Sequence, residues 1–237
     1  MNRIKHIAIW LAGAVLLAVL ITRPLPQTDD VFRTWSLPLT GQTIVIDPGH
    51  GGPDGGAVGK GDVQEKDIAL NVAKKLRDYL QQAGAIVYLT RETDTDLAAG
   101  DTKGLSKRKS EDIRKRLAFI EEKDADFFLT IHLNAIPSPK WSGAQTFYHP
   151  THKKSKHLAS MVQSEIIRNL ENTTREPLAV NTLYLLKHAE VPGSLVEIGF
   201  LSNDQEREQL VQAGYQQKMA ASIYQGVLRY VTEEPEE

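Results

Sequence analysis

The feature that most constrains this chain is an alternation. Short β-branched runs, each closed by a turn signal, are separated by amphipathic helical segments. Thr43–Asp47 is a compact apolar run stopped by Asp47-Pro48, the signature of a buried strand. Glu65–Ala83 puts Ile68, Val72, Leu76, Tyr79 and Leu80 on one helical face, with Gly84 where a C-terminal cap belongs. Ala85–Thr90 reads as a second strand, Glu92–Gly104 as a polar loop, and Leu105–Lys123 as a helix with Ile113, Leu117 and Ile120 on one side. Asp126–Ile131 is a third strand and Gly143–Tyr148 another on an edge, followed by a helix over Ser155–Leu170. Leu183–Lys187 and Ser194–Ile198 are read as two further strands. Asn203 is placed to cap Asp204–Ala213, and Gln216–Val231 closes the pattern as a helix. The alternation predicts an α/β fold: one domain with a twisted, mostly parallel sheet flanked by helices. Right-handed crossovers then bring the strand ends Asp47, Ile131 and Ile198 to one edge of the sheet.

The segments outside this pattern suggest where the protein works. Arg3 and Lys5 precede Ile7–Ile21, an uncharged apolar block ended by Thr22, Arg23 and Pro24. Fifteen helical residues span about 22 Å, short of a hydrocarbon core of about 30 Å. A basic start followed by an apolar block is an export signal, and no small-residue cleavage site follows it. Residues 1–22 are therefore read as an uncleaved signal-anchor in preference to a cleaved peptide, with the rest of the protein exported. Residues 23–40, with three prolines, form a linker; residues 41–231 form the globular domain; residues 232–237 are an acidic tail. A net charge of −2 gives no basic field for nucleic acid, and the absence of cysteine confines any metal site to His, Asp and Glu.

The loop after the first strand reads DPGHGGPDGG, with five glycines in the eight residues from Gly49 to Gly56. It is not a phosphate loop. Gly59-Lys60 has Asp54 where the first P-loop glycine is needed and Gly61 in place of Ser or Thr; the dinucleotide pattern fails at Asp54 as well. A metal reading fits better. His50 lies just past one strand, His132 just past another, and Glu65 opens the first helix. Two His and one Glu leave the fourth tetrahedral position open, as in a catalytic zinc site. On spacing alone, a turn histidine and a hydrogen-bonded strand-end histidine explain the same residues equally well. Glu197 adds weight, because it sits inside the apolar run Leu195–Phe200, where an unpaired carboxylate is costly to bury. It is either a water-facing residue on an edge strand or a general base poised at the site.

Together DPGHGG, Glu65 in QEK, IHLNA and VEIGFLSN resemble the zinc-dependent N-acetylmuramoyl-L-alanine amidases of the amidase_3 type, in the same order and over about Thr43 to Val231. Within that family the closest likeness is to the germination-specific, spore-cortex type: a single catalytic domain behind a membrane segment, with no appended wall-binding repeats. The resemblance implies one Zn²⁺ held by His50, Glu65 and His132, with Glu197 as the catalytic glutamate. It implies hydrolysis of the amide joining N-acetylmuramic acid to L-alanine in peptidoglycan, in the cell wall or forespore envelope. A zinc peptidase acting on the stem peptide shares this chemistry and is the rival reading. Asp47 and Asn134 flank ligands and are candidates to support them, with a turn-forming role for Asp47 equally open. Arg91 and Arg116 are expected in structural ion pairs. His149, His152, His157 and His188 are read as surface or loop residues, and Lys153–Lys156 as a solvated helix start.

Overall fold

The computed structural model describes residues 2–22 and 37–235. They fall into two compact units divided at Leu37/Pro38. The first contains α1 (Asn2–Thr22), the helix expected from the apolar block. No helix among the described residues is long and apolar enough to cross a membrane. The expected linker lies almost wholly outside the described residues, but its end does not behave as one. Leu39 is fully buried, and its N–H bonds the Ala83 carbonyl, so the second unit starts ahead of Gly41.

In the second unit the chain runs β1 (Thr43–Pro48), β2 (Val58–Gly59), β3 (Val63–Gln64), α2 (Glu65–Gln82), β4 (Ile86–Leu89), α3 (Leu105–Glu122) and β5 (Phe127–Asn134). It continues through β6 (Gln145–Tyr148), α4 (Lys153–Leu170), β7 (Leu178–Ala179), α5 (Tyr184–His188), β8 (Gly193–Phe200), α6 (Asp204–Leu210) and α7 (Ala213–Thr232). Six strands form one sheet in the order β4-β1-β5-β8-β6-β7. β4, β1, β5 and β8 are parallel; β6 runs antiparallel to β8, and β7 is parallel to β6. The central strands read as unbroken apolar runs because both faces are covered. Ile44, Ile46, Leu129, Ile131, Val196 and Ile198 face the core shared with α2, α4 and α7. Val45, Phe128 and Leu195 face a smaller cluster with Ile120 of α3 and with Leu185 and Leu186 of α5.

The chain leaves β1 toward β4 on one side and returns to β5 on the other. The strand order therefore reverses at β1, and the carboxyl ends of β1 and β5 flank the crevice where doubly wound folds bind ligands. Several expectations change in detail. Leu183–Lys187 is not a strand: Tyr184–His188 is a short helix that drives Leu185 and Leu186 into the smaller core. His132 lies within β5 and not beyond it, since that strand runs on to Asn134. β6 is not the outermost strand, because β7 pairs along it. Asn203 does cap α6, its Oδ1 accepting from the Glu206 N–H at 2.9 Å, but that helix stops at Leu210. His157 is buried, not a surface residue, with Nε2 3.0 Å from the Glu233 carbonyl. The last two residues of the expected tail lie outside the described residues, and Glu233 is tied to Arg229.

Candidate metal centre

Three elements deliver three side chains to one point. The loop after β1 carries His50, the first residue of α2 is Glu65, and β5 carries His132. One ligating atom from each lies within 4.8 Å of the others. Glu65 is the hinge of the group. Its Oε1 is 2.9 Å from His132 Nδ1 and its Oε2 is 3.2 Å from His50 Nε2. The same two oxygens accept the N–H groups of Leu133 and Ala57, at 2.8 and 2.7 Å. Burial opposes charge on Glu65, but the histidine contacts hold its carboxyl well below the ordinary range.

The glycines of the loop have a specific task. His50 adopts φ 60°, a left-handed conformation uncommon for a side chain of its size. A Cβ on Gly49 would stand inside van der Waals contact of the His132 ring, and one on Gly56 would fall 2.5 Å from Glu65 Oε2 and 2.6 Å from the His50 ring. The backbone thus wraps the candidate ligands at two points where only glycine fits.

A residue the sequence reading passed over orients His50. Asp54 Oδ2 lies 2.7 Å from His50 Nδ1, leaving Nε2 to face Glu65. Its other oxygen is 2.9 Å from Lys109 Nζ and accepts the Gly56 N–H. A carboxylate behind a metal-binding histidine fixes the ring and its tautomer. The spacing of four residues from His50 to Asp54, within a tight glycine turn, was the available signal. Burial opposes a charge on the His50 ring, yet hydrogen bonds to Asp54 and Glu65 raise its pKa to about 9.

Asp47 sits nearby with a different role. Its carboxylate accepts Thr90 Oγ1 at 2.6 Å, Thr130 Oγ1 at 2.7 Å and Arg116 at 2.7 Å. Arg116, buried on α3, also donates to Asp112 and to the Pro48 and His50 carbonyls. The pair clamps the loop that carries His50. Arg91 does the same with backbone carbonyls instead of acids, donating to Pro48, Gly49, Thr93 and Lys66. Among the described residues, no side-chain hydrogen bond joins Asn134 to either histidine; a bulge in the β5–β8 pairing falls between His132 and Asn134.

Glu197 completes the group. β8 is an interior strand, and Glu197 pairs in register with His132 on one side and Gln145 on the other. All three side chains share one sheet face. Its Oε2 is buried with no hydrogen-bond partner among the described residues. Burial raises the Glu197 pKa to about 7; the two histidines oppose the rise and Glu65 adds to it. A cavity of about 210 Å³ opens beside the group, lined by Gly49, His50, Asp54, Lys109, Arg116 and His132 among others.

The donor set and the bare glutamate oxygen fit a divalent cation. Two imidazoles and one carboxylate suit zinc, and a cation close by would compensate a carboxylate that otherwise lacks any partner.

Comparison with known proteins identifies relatives of this chain. A family model described as N-acetylmuramoyl-L-alanine amidase, Amidase_3, matches residues 44–229. The germination-specific N-acetylmuramoyl-L-alanine amidase of Bacillus subtilis (strain 168) is 50% identical over 224 residues, 94% of each chain. The CwlD amidase of Clostridioides difficile, solved in complex with the GerS lipoprotein, superposes with a TM-score of 0.80 at 38% identity, covering 82% of this chain and 100% of that one. An N-acetylmuramoyl-L-alanine amidase of Clostridium difficile 630 gives a TM-score of 0.72 at 31% identity over 81% of this chain and 98% of its own.

Proposed function

The chain belongs to the Amidase_3 family of N-acetylmuramoyl-L-alanine amidases, and from that premise we propose that it hydrolyses the amide between N-acetylmuramic acid and L-alanine with one zinc ion held by His50, Glu65 and His132. The observation that carries the proposal is the pairing of His132 with Glu197 in adjacent strands, with one glutamate oxygen buried and unpartnered beside the three candidate ligands. Zinc, when bound, supplies a Lewis acid for the scissile carbonyl. The chain's own residues do the rest. Asp54 fixes the His50 ring, and Arg116 and Arg91 hold the loop backbone in place. Glu197, whose carboxyl is poised near neutrality, takes a proton from the attacking water. It returns that proton to the L-alanine nitrogen as the C–N bond breaks, leaving a lactyl carboxylate and a free peptide amine.

The likeness to a germination-specific amidase supports a setting in the spore cortex, with the catalytic domain exported and the N-terminal helix as signal or anchor. The C. difficile amidase was solved with a lipoprotein, and an accessory partner of that kind is proposed here too. Mass spectrometry of purified peptidoglycan after digestion tests the reaction. Peptides that begin with a new N-terminal alanine are expected; release of D-alanine or cleavage of cross-links would replace this reading with the stem-peptidase one. Elemental analysis tests the ligands: His132→Ala is expected to lose zinc, and an unchanged zinc content would remove His132 from the set.

A further inference from the structure

Beyond Glu197 the sheet continues into a feature that the metal centre does not use. Gln145 of β6 stands directly across from Glu197. In an antiparallel pair the two side chains share a face. Gln145 is in turn tied to the segment that enters β7: its Nε2 donates to the Glu176 carbonyl at 2.9 Å, and its Oε1 lies 3.5 Å from Arg175 Nη1. The Arg175 guanidinium lies over two aromatic rings, with its carbon 5.4 Å from the centroid of Trp141 and 5.4 Å from that of Phe200. Phe200 ends the strand that carries Glu197, and half the surface of Trp141 is open to solvent.

What distinguishes Arg175 is how little its charge is used. Arg116 and Arg108 make contacts of 3.0 Å or shorter, and both include a carboxylate. Arg175 reaches only neutral oxygens, at 3.3 to 3.5 Å, and among the described residues no carboxylate lies within ion-pair distance of it. Glu206, a buried acid that feels the Arg175 charge, is already engaged, accepting the N–H groups of Gly143 and Phe200. A guanidinium set over two rings, with only long bonds to neutral oxygens on its donors, can exchange them for a planar anion in bidentate fashion.

We propose that Arg175, supported by Trp141 and Gln145, is a specificity residue that binds a carboxylate on the peptide side of the substrate. The proposal rests on the amidase reading above and adds the part of the substrate this site recognises. Two strand spacings separate Glu197 from the β7 edge, roughly 10 Å. An extended peptide covers that in about three residues, so the carboxylate belongs to one of the residues that follow L-alanine.

The test uses full-length, zinc-loaded protein and two synthetic N-acetylmuramoyl-L-alanyl peptides. They are identical except that the carboxylates beyond L-alanine are free in one and carboxamides in the other. The wild type is expected to favour the free acid by about tenfold or more in kcat/KM, mostly through KM. Arg175→Gln is expected to lose that preference, with its deficit concentrated on the free acid. Arg175→Lys, which keeps charge but not the flat fork, should retain only part of it. Equal losses on both substrates, or a preference that survives in Arg175→Gln, would overturn the subsite while leaving the amidase reading intact. A wild type that cleaves neither substrate would overturn both.

Discussion

Asp47 and Glu197 are both acids near the carboxyl ends of parallel strands, on the same face of one sheet, with β5 between their strands. Their surroundings could hardly differ more. Asp47 is saturated: two threonine hydroxyls and the Arg116 guanidinium meet its oxygens, and although burial alone would raise its pKa, Arg116 leads in holding it below the ordinary value. Glu197 keeps one buried oxygen bare, and burial lifts its pKa to about 7. A fold can bury an acid by satisfying it or by reserving it. The first use builds a clamp, and the second leaves a group free to exchange protons.

The largest expected effect sharpens this contrast. Glu197→Gln should slow hydrolysis by about 10²–10⁴-fold while retaining zinc, read by amide hydrolysis rates alongside metal content. The sign of its stability effect is also fixed. A carboxyl whose pKa is raised by folding stabilises the folded state least once pH rises above that value, so at pH 8 the metal-free Gln variant should melt no lower than wild type. In the wild-type enzyme kcat/KM should fall as pH drops through the Glu197 pKa, because the protonated acid cannot accept. A bound dication lowers that pKa, so the midpoint should lie at or below about 7. A pH-independent rate between 5 and 8 would count against Glu197 as the proton carrier.

Asp47→Ala should behave in the opposite way, costing about 3–5 kcal/mol in denaturant unfolding because Arg116 is left buried with one of its two carboxylates. If it instead left stability intact and removed only activity, the distinction between clamp and reserve would fail. Asp54→Ala is an intermediate case. It should weaken zinc binding by about 10- to 100-fold in a competition titration, with little loss of fold. Asn203→Ala touches neither acid. Losing the α6 cap should cost about 1 kcal/mol by thermal melting and leave the zinc affinity unchanged, which sets the scale for an ordinary surface defect.

The same contrast explains what the sequence reveals. Helices with long apolar periods, such as Glu65–Gln82, and buried strands ended by turn residues are legible because a single pattern decides them. Leu183–Lys187 is not, since a short apolar run fits a strand or one turn of helix equally, and only its packing under Phe128 and Leu195 decides. Glu197 stands out as a charge in an apolar run. Asp47 is legible only as a candidate with a turn role equally open, and Asp54 and Arg175 do not stand out, because their roles depend on partners 4 to 83 residues away that only the folded chain brings together. The β2–β3 hairpin is hidden for a related reason: two-residue strands carry no periodicity.

One hydrogen atom in the loop has an outsized consequence. The Cα of Gly49 faces the His132 ring so closely that a methyl group there would have to displace it. The vulnerable part of this enzyme is therefore larger than its set of reactive side chains. A position with no side chain at all, contributing neither ligand nor proton, is specified as tightly as the residues around it, and the smallest possible enlargement of the polypeptide there is expected to disarm the hydrolase by moving a ring rather than by unfolding the chain.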